Sequence, residues 1–493
     1  MTAHITKIGL IQNAPLPGDF SANLRHIVQG YRDCLDHGAQ LVIAPAAALC
    51  GLEPRSLTGR SSFMKQMRAA MVTLSRELGS APLLLGGYSD VIAEEELWEA
   101  GENDYYDTAA DPDSAVVPVP YLLEHDSVTE LEDGEITDIL GTSVYVTIGD
   151  EEMLPDGPNL DMMVQLSTAP WYTGAEQKEA DACSWQARVN QAVFISSHAT
   201  GTAGQRLFSG GSAVYGKDGS VLSRLPFFET AAKVVNLSAR YAAEPLPDSV
   251  DMLRMALERG LRDTVRNNGY SGVCVPQDAP NSTLLTALAV SALGSGNVCG
   301  ISFKGQTAAT ECLHTDCLTP DASGLTAAAN AIFRREEAGA ALTARMETLL
   351  MLTLAEERGM MLLSPLDRSS LMTGHFSLYG ESGGHLAPLA NLYRIDIYML
   401  SKRFSEQHPD LFGSLEEPAR PEQDRIIHEL ADRNISPSEL LSNNGMLFKE
   451  NDVRLIQRQM IASELKRTQL PVVLHVDAPE QQHRFPISHR LND

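Results

Sequence analysis

The sequence has few basic residues and no apolar stretch long enough to cross a membrane. Of its 493 residues, 38 are Lys or Arg and 64 are Asp or Glu, so the formal net charge is −26. Such an acidic chain repels phosphate backbones and anionic headgroups, and we expect neither nucleic acid nor a membrane as a partner. The amino terminus has no signal-peptide pattern, and no apolar run approaches the ~20 residues of a span. We therefore expect a cytoplasmic protein.

Cysteine is scarce: seven are scattered along the chain. An odd number at irregular spacing does not indicate a disulfide framework. Cys312, His314 and Cys317 lie together in CLHTDC. This spacing does not match a zinc knuckle and no second pair follows, so a polar loop is favoured and we predict no metal site.

The residues that are present predict a folded α/β protein of two domains. Short β-branched runs alternate with helical stretches from Ile5 to about Leu237, and a second α/β block begins near Pro247. We place the domains at residues 1–243 and 248–493. An acidic insert near residues 90–138 has little helical or strand period. It favours a solvated acidic loop or an edge hairpin, with a docking surface for a basic partner as the alternative.

Eight stretches in register carry a family resemblance. Four lie in the first domain: IGLIQNAPLPGDFSANL, AQLVIAPAAALCGL, QLSTAPW and FSGGSAVYGKDGSVLSRLPFFE. Four lie in the second: GLRDTVRNNGYSGV, NSTLLTALAVSALGSGNVCGI, SLYGESGGHLAPL and SELKRTQLP with the closing RFPI. Together they resemble the glutamine-dependent NAD⁺ synthetases. The resemblance implies a nitrilase-like α/β sandwich domain followed by a doubly wound α/β domain of the ATP-pyrophosphatase, adenine nucleotide alpha hydrolase-like, type.

In that family the first domain, a carbon–nitrogen hydrolase, frees ammonia from glutamine. The second domain uses ATP and Mg²⁺ to adenylate deamido-NAD⁺ for attack by ammonia. Family members form homo-oligomers, so the resemblance also implies a homo-oligomer here.

The glutaminase chemistry needs a Cys nucleophile, a Glu base and a Lys beside the oxyanion. The position of the family's Glu holds Ala46, and the position of its Cys holds Gly149. No Lys occurs between Lys65 and Lys178. We predict that this site has no catalytic residue. Two other cysteines are candidates to replace the nucleophile. For Cys50, packing in the core is favoured. Cys183 lies on a predicted helix and is also disfavoured as a reactive thiol.

The synthetase site departs from the family in the same way. Its phosphate-binding SGGxDS turn corresponds to Gln277–Ser282, without either glycine. The family's magnesium ligands correspond to Asn281 and Ser370, neither of which offers a carboxylate. The candidates for residual nucleotide binding are Asn281, Ser282, Arg345, Lys466 and Arg467. The alternatives are that Ser282 or Asn281 caps the following helix, and that the basic residues form surface salt bridges.

These departures favour a pseudoenzyme: an oligomeric scaffold or regulator that associates with an active NAD⁺ synthetase or another protein, or senses a nucleotide. A pseudoenzyme requires no cofactor. ATP, Mg²⁺ and deamido-NAD⁺ are expected ligands only if activity is retained. The alternative is an active, divergent NAD⁺ synthetase that amidates deamido-NAD⁺ with ammonia or glutamine. Its replacement groups would come from the acidic insert or from residues 308–337. An inert storage assembly is a third hypothesis without a specific sequence sign.

Overall fold

The computed structural model describes residues 4–89, 116–149, 160–239, 245–334, 339–413, 415–418, 421–444 and 447–478. The chain divides into two compact units. The first comprises Met1–Ala203 and Leu207–Pro247, and the second comprises Asp248–Asp493 with Gly204–Arg206. Within the described part of the chain, no helix is long and apolar enough to cross a membrane.

The first unit is built on two six-stranded sheets. In the first sheet the strand order is β14-β1-β2-β3-β4-β5, and in the second it is β13-β12-β9-β8-β7-β6. The strands are β1 (Lys7–Gln12), β2 (Leu41–Ile43), β3 (Leu83–Ser89), β4 (Val117–Glu124), β5 (Ser127–Glu130), β6 (Glu135–Ile139), β7 (Thr142–Ile148), β8 (Met162–Leu166), β9 (Val193–Ser197), β12 (Ala213–Tyr215), β13 (Val221–Arg224) and β14 (Ala231–Asn236), with β10 (Thr200–Ala203) and β11 (Arg206–Ser209) forming a separate hairpin.

Three helices cover the outer faces of these sheets, and the core follows the two-residue period of the strands. In β8, Met162, Val164 and Leu166 pack between the sheets, while Met163 packs on the opposite face beside Cys183. The helices are α1 (Phe20–Asp36), α2 (Ser61–Arg76) and α3 (Ala175–Asn190). The first two pack on the first sheet and α3 packs on the second, so the unit is an α/β sandwich.

The second unit contains a four-stranded parallel sheet in the order β17-β16-β15-β18. Its strands are β15 (Val273–Pro276), β16 (Val298–Ile301), β17 (Asp316–Leu318) and β18 (Met361–Leu362), with a separate pair β19 (Leu386–Ala387) and β20 (Val472–Val473). Its helices are α4 (Ser249–Asn267), α5 (Ser282–Leu293), α6 (Ala308–Cys312), α7 (Ser323–Phe333), α8 (Ala340–Glu357), α9 (Arg368–Thr373), α10 (Arg394–Gln407), α11 (Pro409–Phe412), α12 (Pro421–Ile427), α13 (Pro437–Asn444) and α14 (Glu450–Arg467). Strand β15, the first of this sheet along the chain, lies inside the sheet, with β16 and β17 on one side and β18 on the other. This reversal of strand order is the doubly wound arrangement. The predicted fold class is confirmed.

The acidic insert is only partly described, because residues 90–115 lie outside the described residues. From Val117 to Glu130 the chain forms the antiparallel hairpin β4–β5 at the edge of the first sheet. The edge-hairpin interpretation is therefore confirmed for this part. Pro118 and Pro120 lie in β4 beyond the residues that pair with β5, where a strand tolerates the missing N–H groups.

Candidate functional site

Ala46 lies just after β2, in the core between the two sheets, and is 5% exposed. The backbone of β3 runs very close to it. A methyl group added at Gly86 would lie 2.6 Å from the Ala46 Cα atom and 2.8 Å from a side-chain carbon of Ile148. The structure therefore brings position 46 near Ile148, the residue that precedes Gly149. Nothing at position 46 can accept a proton.

Gly149 directly follows β7 and has a φ of +118°, a conformation that favours glycine. Its N–H donates to the carbonyl of Leu166 at 3.0 Å, and its carbonyl accepts from the Gln165 side-chain amide at 3.3 Å. Positions 46 and 149 thus both lie at carboxyl ends of strands. The side chains at these two positions supply neither a nucleophile nor a base.

The two cysteines considered as replacement nucleophiles are buried. Cys50 is fully buried, and burial raises the pKa of its thiol to about 12. Cys183 lies on α3, as predicted, where burial and the nearby Glu179 raise the pKa of its thiol. A buried thiol with a raised pKa is a poor nucleophile, so the packing interpretation of Cys50 agrees with the structure.

A polar cluster on the α3 side of the second sheet was not found from the sequence. The His198 Nε2 atom lies 2.6 Å from Oε1 of Glu179, and the Ser196 hydroxyl donates to the same oxygen at 2.7 Å. Burial acts to raise the pKa of Glu179, but His198 and Ser196 outweigh it and the pKa is lowered. Ser196 is fully buried, so the cluster ties α3 to β9 and offers no accessible nucleophile.

In the second unit, the turn between β15 and α5 contains the predicted phosphate-binding positions. Asn281 occupies the N-cap position with a φ of 64° and makes no capping hydrogen bond with its side chain. Ser282 is the first residue of the helix, and its hydroxyl donates to the carbonyls of Pro276 and Ala279, both at 2.6 Å. The N-cap interpretation of Ser282 is therefore wrong, because its hydroxyl donates to the turn instead of accepting from the helix.

The side chain of Asn281 faces Asp367, the residue before α9. Its amide nitrogen donates to Oδ2 of Asp367 at 3.3 Å and to the carbonyl of Pro365 at 3.2 Å. The Ser370 hydroxyl donates to the same Oδ2 at 3.1 Å, and the Ser370 N–H donates to Oδ1 at 2.8 Å. The two positions assigned to magnesium ligands are thus both hydrogen-bonded to one buried carboxylate.

Three comparisons with known proteins agree on the family. The NAD synthase family model matches residues 253–411. Glutamine-dependent NAD(+) synthetases from Thermotoga maritima and Synechocystis are 22% and 24% identical to this chain, covering 99% and 94% of both sequences. The chain is similar to glutamine-dependent NAD⁺ synthetases over almost its whole length. A crystal structure of such a synthetase from Cytophaga hutchinsonii covers 98% of both chains with a TM-score of 0.80 and 12% identity. The ADP complex of the Acinetobacter baumannii enzyme has the same coverage, with a TM-score of 0.70 and 18% identity.

Magnesium, which the similarity to NAD⁺ synthetases implies, does not fit the residues at its expected positions. Mg²⁺ is held through charged oxygen ligands, whereas Asn281 and Ser370 provide an amide and a hydroxyl. The nearby carboxylate of Asp367 already accepts hydrogen bonds on both oxygens. Across the described ranges, no group of three or more His, Cys, Asp or Glu residues could hold a metal ion.

The three basic candidates bond to the protein's own groups. The Arg345 Nε donates to the carbonyl of Leu378 at 2.9 Å, and the Lys466 amine donates to the carbonyls of Gly374 and Phe376 at 3.1 and 3.0 Å. The structure thus brings Arg345 and Lys466 to one segment, residues 374–378. Arg467 forms an ion pair with Glu464 on its own helix, but the two side chains are only 10% and 8% exposed, so the expectation of a surface salt bridge is wrong for Arg467.

A buried ionic network beside Asp367 was also missed from the sequence. Arg368 pairs with Asp432 and, at 3.0 Å, with Asp477. The hydroxyl of Tyr393 donates to Asp432 at 2.7 Å, and the Nδ1 atom of His428 lies 2.9 Å from the same residue. The partners of Arg368 lie 25 to 109 positions away in the chain, so no local pattern could have revealed them. Asp367 itself carries a local signal, because Asp is a preferred residue directly before a helix start, and it is the N-cap of α9.

Proposed function

We propose that this NAD⁺ synthetase-like chain is a pseudoenzyme that acts in the cytoplasm as an oligomeric scaffold or regulator. The observation that carries the proposal is the hydrogen bonding of Asn281 and Ser370 to Asp367. Adenylyl transfer depends on a metal to offset developing charge, and at this position the chain has an amide and a hydroxyl turned toward its own carboxylate.

The first unit supports the same proposal. Position 46 carries a buried methyl group, and position 149 is a glycine with positive φ. Catalytic residues act as a unit, so the loss of one commonly removes most of the rate. Here the nucleophile and base positions both lack a functional group, and the sequence between Lys65 and Lys178 provides no lysine.

Exposed apolar side chains support a role through association with a second copy or an active NAD⁺ synthetase. On α7, Ile332 is 74% exposed, and residues 322–333 include no charged side chain. Trp185 and Val189, one turn apart on α3, are also exposed. A chain with a net charge of −26 repels its own copies, so an uncharged surface suits a contact between copies.

The test of catalysis is NAD⁺ formation from deamido-NAD⁺ and Mg-ATP with ammonium supplied, so that the glutaminase step is bypassed. We expect no product at high protein concentration. The control for contaminating synthetase is an Asp367→Ala variant purified in the same way. Product that rises with protein concentration and disappears in this variant would contradict the proposal and favour the active, divergent synthetase.

The test of association is the mass in solution across a concentration series, alone and with an active NAD⁺ synthetase. We expect a homo-oligomer that Ile332→Glu weakens. Val72→Glu adds the same charge at an exposed apolar residue of α2 and should leave the assembly unchanged. A chain that stays monomeric and binds no synthetase would contradict the scaffold role.

A further inference from the structure

Asp278 stands in the phosphate-binding turn at a position where the family resemblance implies glycine, and its carboxylate points to the end of the next strand. One carboxylate oxygen accepts from the hydroxyl of Ser302 at 2.9 Å, and the other accepts from the N–H of Phe303 at 2.6 Å. Both donors follow β16, and Asp278 follows β15. Because the two strands are parallel and adjacent, these groups meet at one sheet edge.

The donor pair has the features of an anion site. Ser302 is fully buried, and its oxygen also accepts from the N–H of Lys304 at 3.1 Å, which fixes the direction of its hydroxyl proton toward Asp278. A hydroxyl and a backbone N–H that face the two oxygens of one anionic group bind it by charge-assisted hydrogen bonds. Asp278 is only half-buried, so removing its side chain would open the donors to solvent.

We infer that Asp278 is a built-in anion that occupies this site, so that the Ser302 hydroxyl and the Phe303 N–H are closed to a phosphoryl group from free pyrophosphate or a nucleotide. The inference deepens the proposed function and rests on it, since it names an autoinhibitory contact that keeps the synthetase unit from taking its nucleotide. The phosphoryl group is excluded because Asp278 already occupies both donors, and the negative charge of Asp278 repels it in addition.

Other acidic side chains lie around this contact. Burial raises the pKa of Glu347, and the charges of Asp278 and Glu381 raise it further, while Lys304 opposes them. The carboxyl groups of Asp278 and Glu381 therefore both lie within electrostatic reach of Glu347. An external phosphoryl group would have to displace Asp278 and approach the two other acidic side chains.

The test compares binding of inorganic pyrophosphate to the full chain and to two variants by calorimetry, without metal. Asp278→Ser frees both donors and should bind pyrophosphate at least about tenfold more tightly than the original chain, the contribution of one charge-assisted hydrogen bond. Asp278→Asn removes the charge, but its amide oxygen still accepts from Phe303, so it should gain little. Asp410→Ser removes one charge at the exposed start of α11 and controls for net charge.

Two further arms identify the donors and the ligand. Adding Ser302→Ala to Asp278→Ser should abolish the gain, because one donor is lost. Parallel titrations with ATP distinguish a nucleotide site from a site for free pyrophosphate. Equal gains in Asp278→Ser and Asp278→Asn would overturn the inference in favour of charge repulsion alone, and no gain in either would overturn it entirely.

Thermal unfolding checks that each variant is folded; should Asp278→Ser fail, Asp278→Ala frees the same donors. Pyrophosphate binding by the original chain as tight as that of the variants would also contradict the inference. These binding measurements do not depend on turnover. A failed binding prediction would contradict the inference about Asp278, whereas NAD⁺ formation would contradict the proposed function.

Discussion

The side-chain amide of Asn281 donates to the carboxylate of Asp367 across 3.3 Å, and this bond links the turn before α5 to the start of α9. The two residues are 86 positions apart in the chain. The same oxygen accepts from Ser370, so one buried carboxylate holds both positions that family resemblance assigns to magnesium. A metal would link the same two segments through charged ligands; here neutral donors link them through an internal carboxylate.

We predict that restoring both carboxylates makes the fold depend on magnesium. Asn281→Asp with Ser370→Glu replaces two donors to Asp367 by like charges, which should lower the free energy of unfolding by about 2 to 4 kcal/mol without metal. Mg²⁺ would then bind the folded state and restore stability. Urea unfolding with and without MgCl₂ measures both effects.

The control adds the same two charges at exposed positions of the second unit, Asn268→Asp with Ser442→Glu. We expect that variant and the original chain to show little response to Mg²⁺. A double variant that is as stable as the original chain, or is not rescued by Mg²⁺, would contradict the role assigned to the Asp367 contacts.

The sequence predicted the elements of the fold much better than the contacts of the site. The helix over Ser249–Asn267 and the strand over Lys7–Gln12 follow from periodicity, which is a local property. The bond between Asn281 and Asp367 depends on where two distant segments meet, and no local pattern encodes that. Ser282 shows the limit within one turn: its residue type suits an N-cap, but the path of the turn directs its hydroxyl to Pro276 and Ala279.

The second prediction concerns Arg368, whose side chain is 12% exposed and pairs with Asp432 and Asp477. Arg368→Met keeps most of the apolar stem but removes the guanidinium partner of two buried carboxylates. We expect a loss of about 3 to 5 kcal/mol in the free energy of unfolding at neutral pH. Burial acts to raise the pKa of Asp477, but its hydrogen bond with His475 and the charge of Arg368 hold it below its usual range, so it should rise in the variant.

Chemical unfolding at two pH values measures this effect. The penalty of Arg368→Met should shrink as the pH falls, because the stranded carboxylates can then take up protons. Adding Asp432→Asn should recover part of the loss. Arg345→Met removes an exposed arginine and should cost less than about 1 kcal/mol. A loss of similar size for Arg345→Met and Arg368→Met would contradict the importance of the network.

The third prediction is a pH dependence that comes from His428. Its hydrogen bond to Asp432 raises its pKa, burial acts against this, Glu429 adds to the rise and Arg368 opposes it. A raised pKa in the folded state stabilises the protein at pH values below the unfolded pKa of about 6.5, and this stability is lost as the pH rises through the folded pKa.

His428→Gln should therefore lower the free energy of unfolding at pH 5.5, and the difference should vanish at alkaline pH. The side chain is 40% exposed, so solvent screening limits the effect to about 0.5 to 1 kcal/mol. His408→Gln, at an exposed position after α10, is the matched control. A difference in the free energy of unfolding between His428→Gln and the original chain that grows as the pH rises would contradict this prediction.

The last prediction separates the accessible cysteine from the buried ones. Cys312 is exposed and Cys317 is half-buried, whereas the other five are buried. We expect a disulfide reagent such as DTNB to modify Cys312 first in the native protein and all seven cysteines in urea. Cys312→Ser should abolish the fast phase. Cys299 makes this a sharp test: a hydrogen bond from Cys274 lowers the pKa of its thiol, yet it is 1% exposed. Fast modification of Cys299 in the Cys312→Ser variant would mean that thiolate character outweighs burial; a slow reaction, limited by unfolding, would mean that access decides.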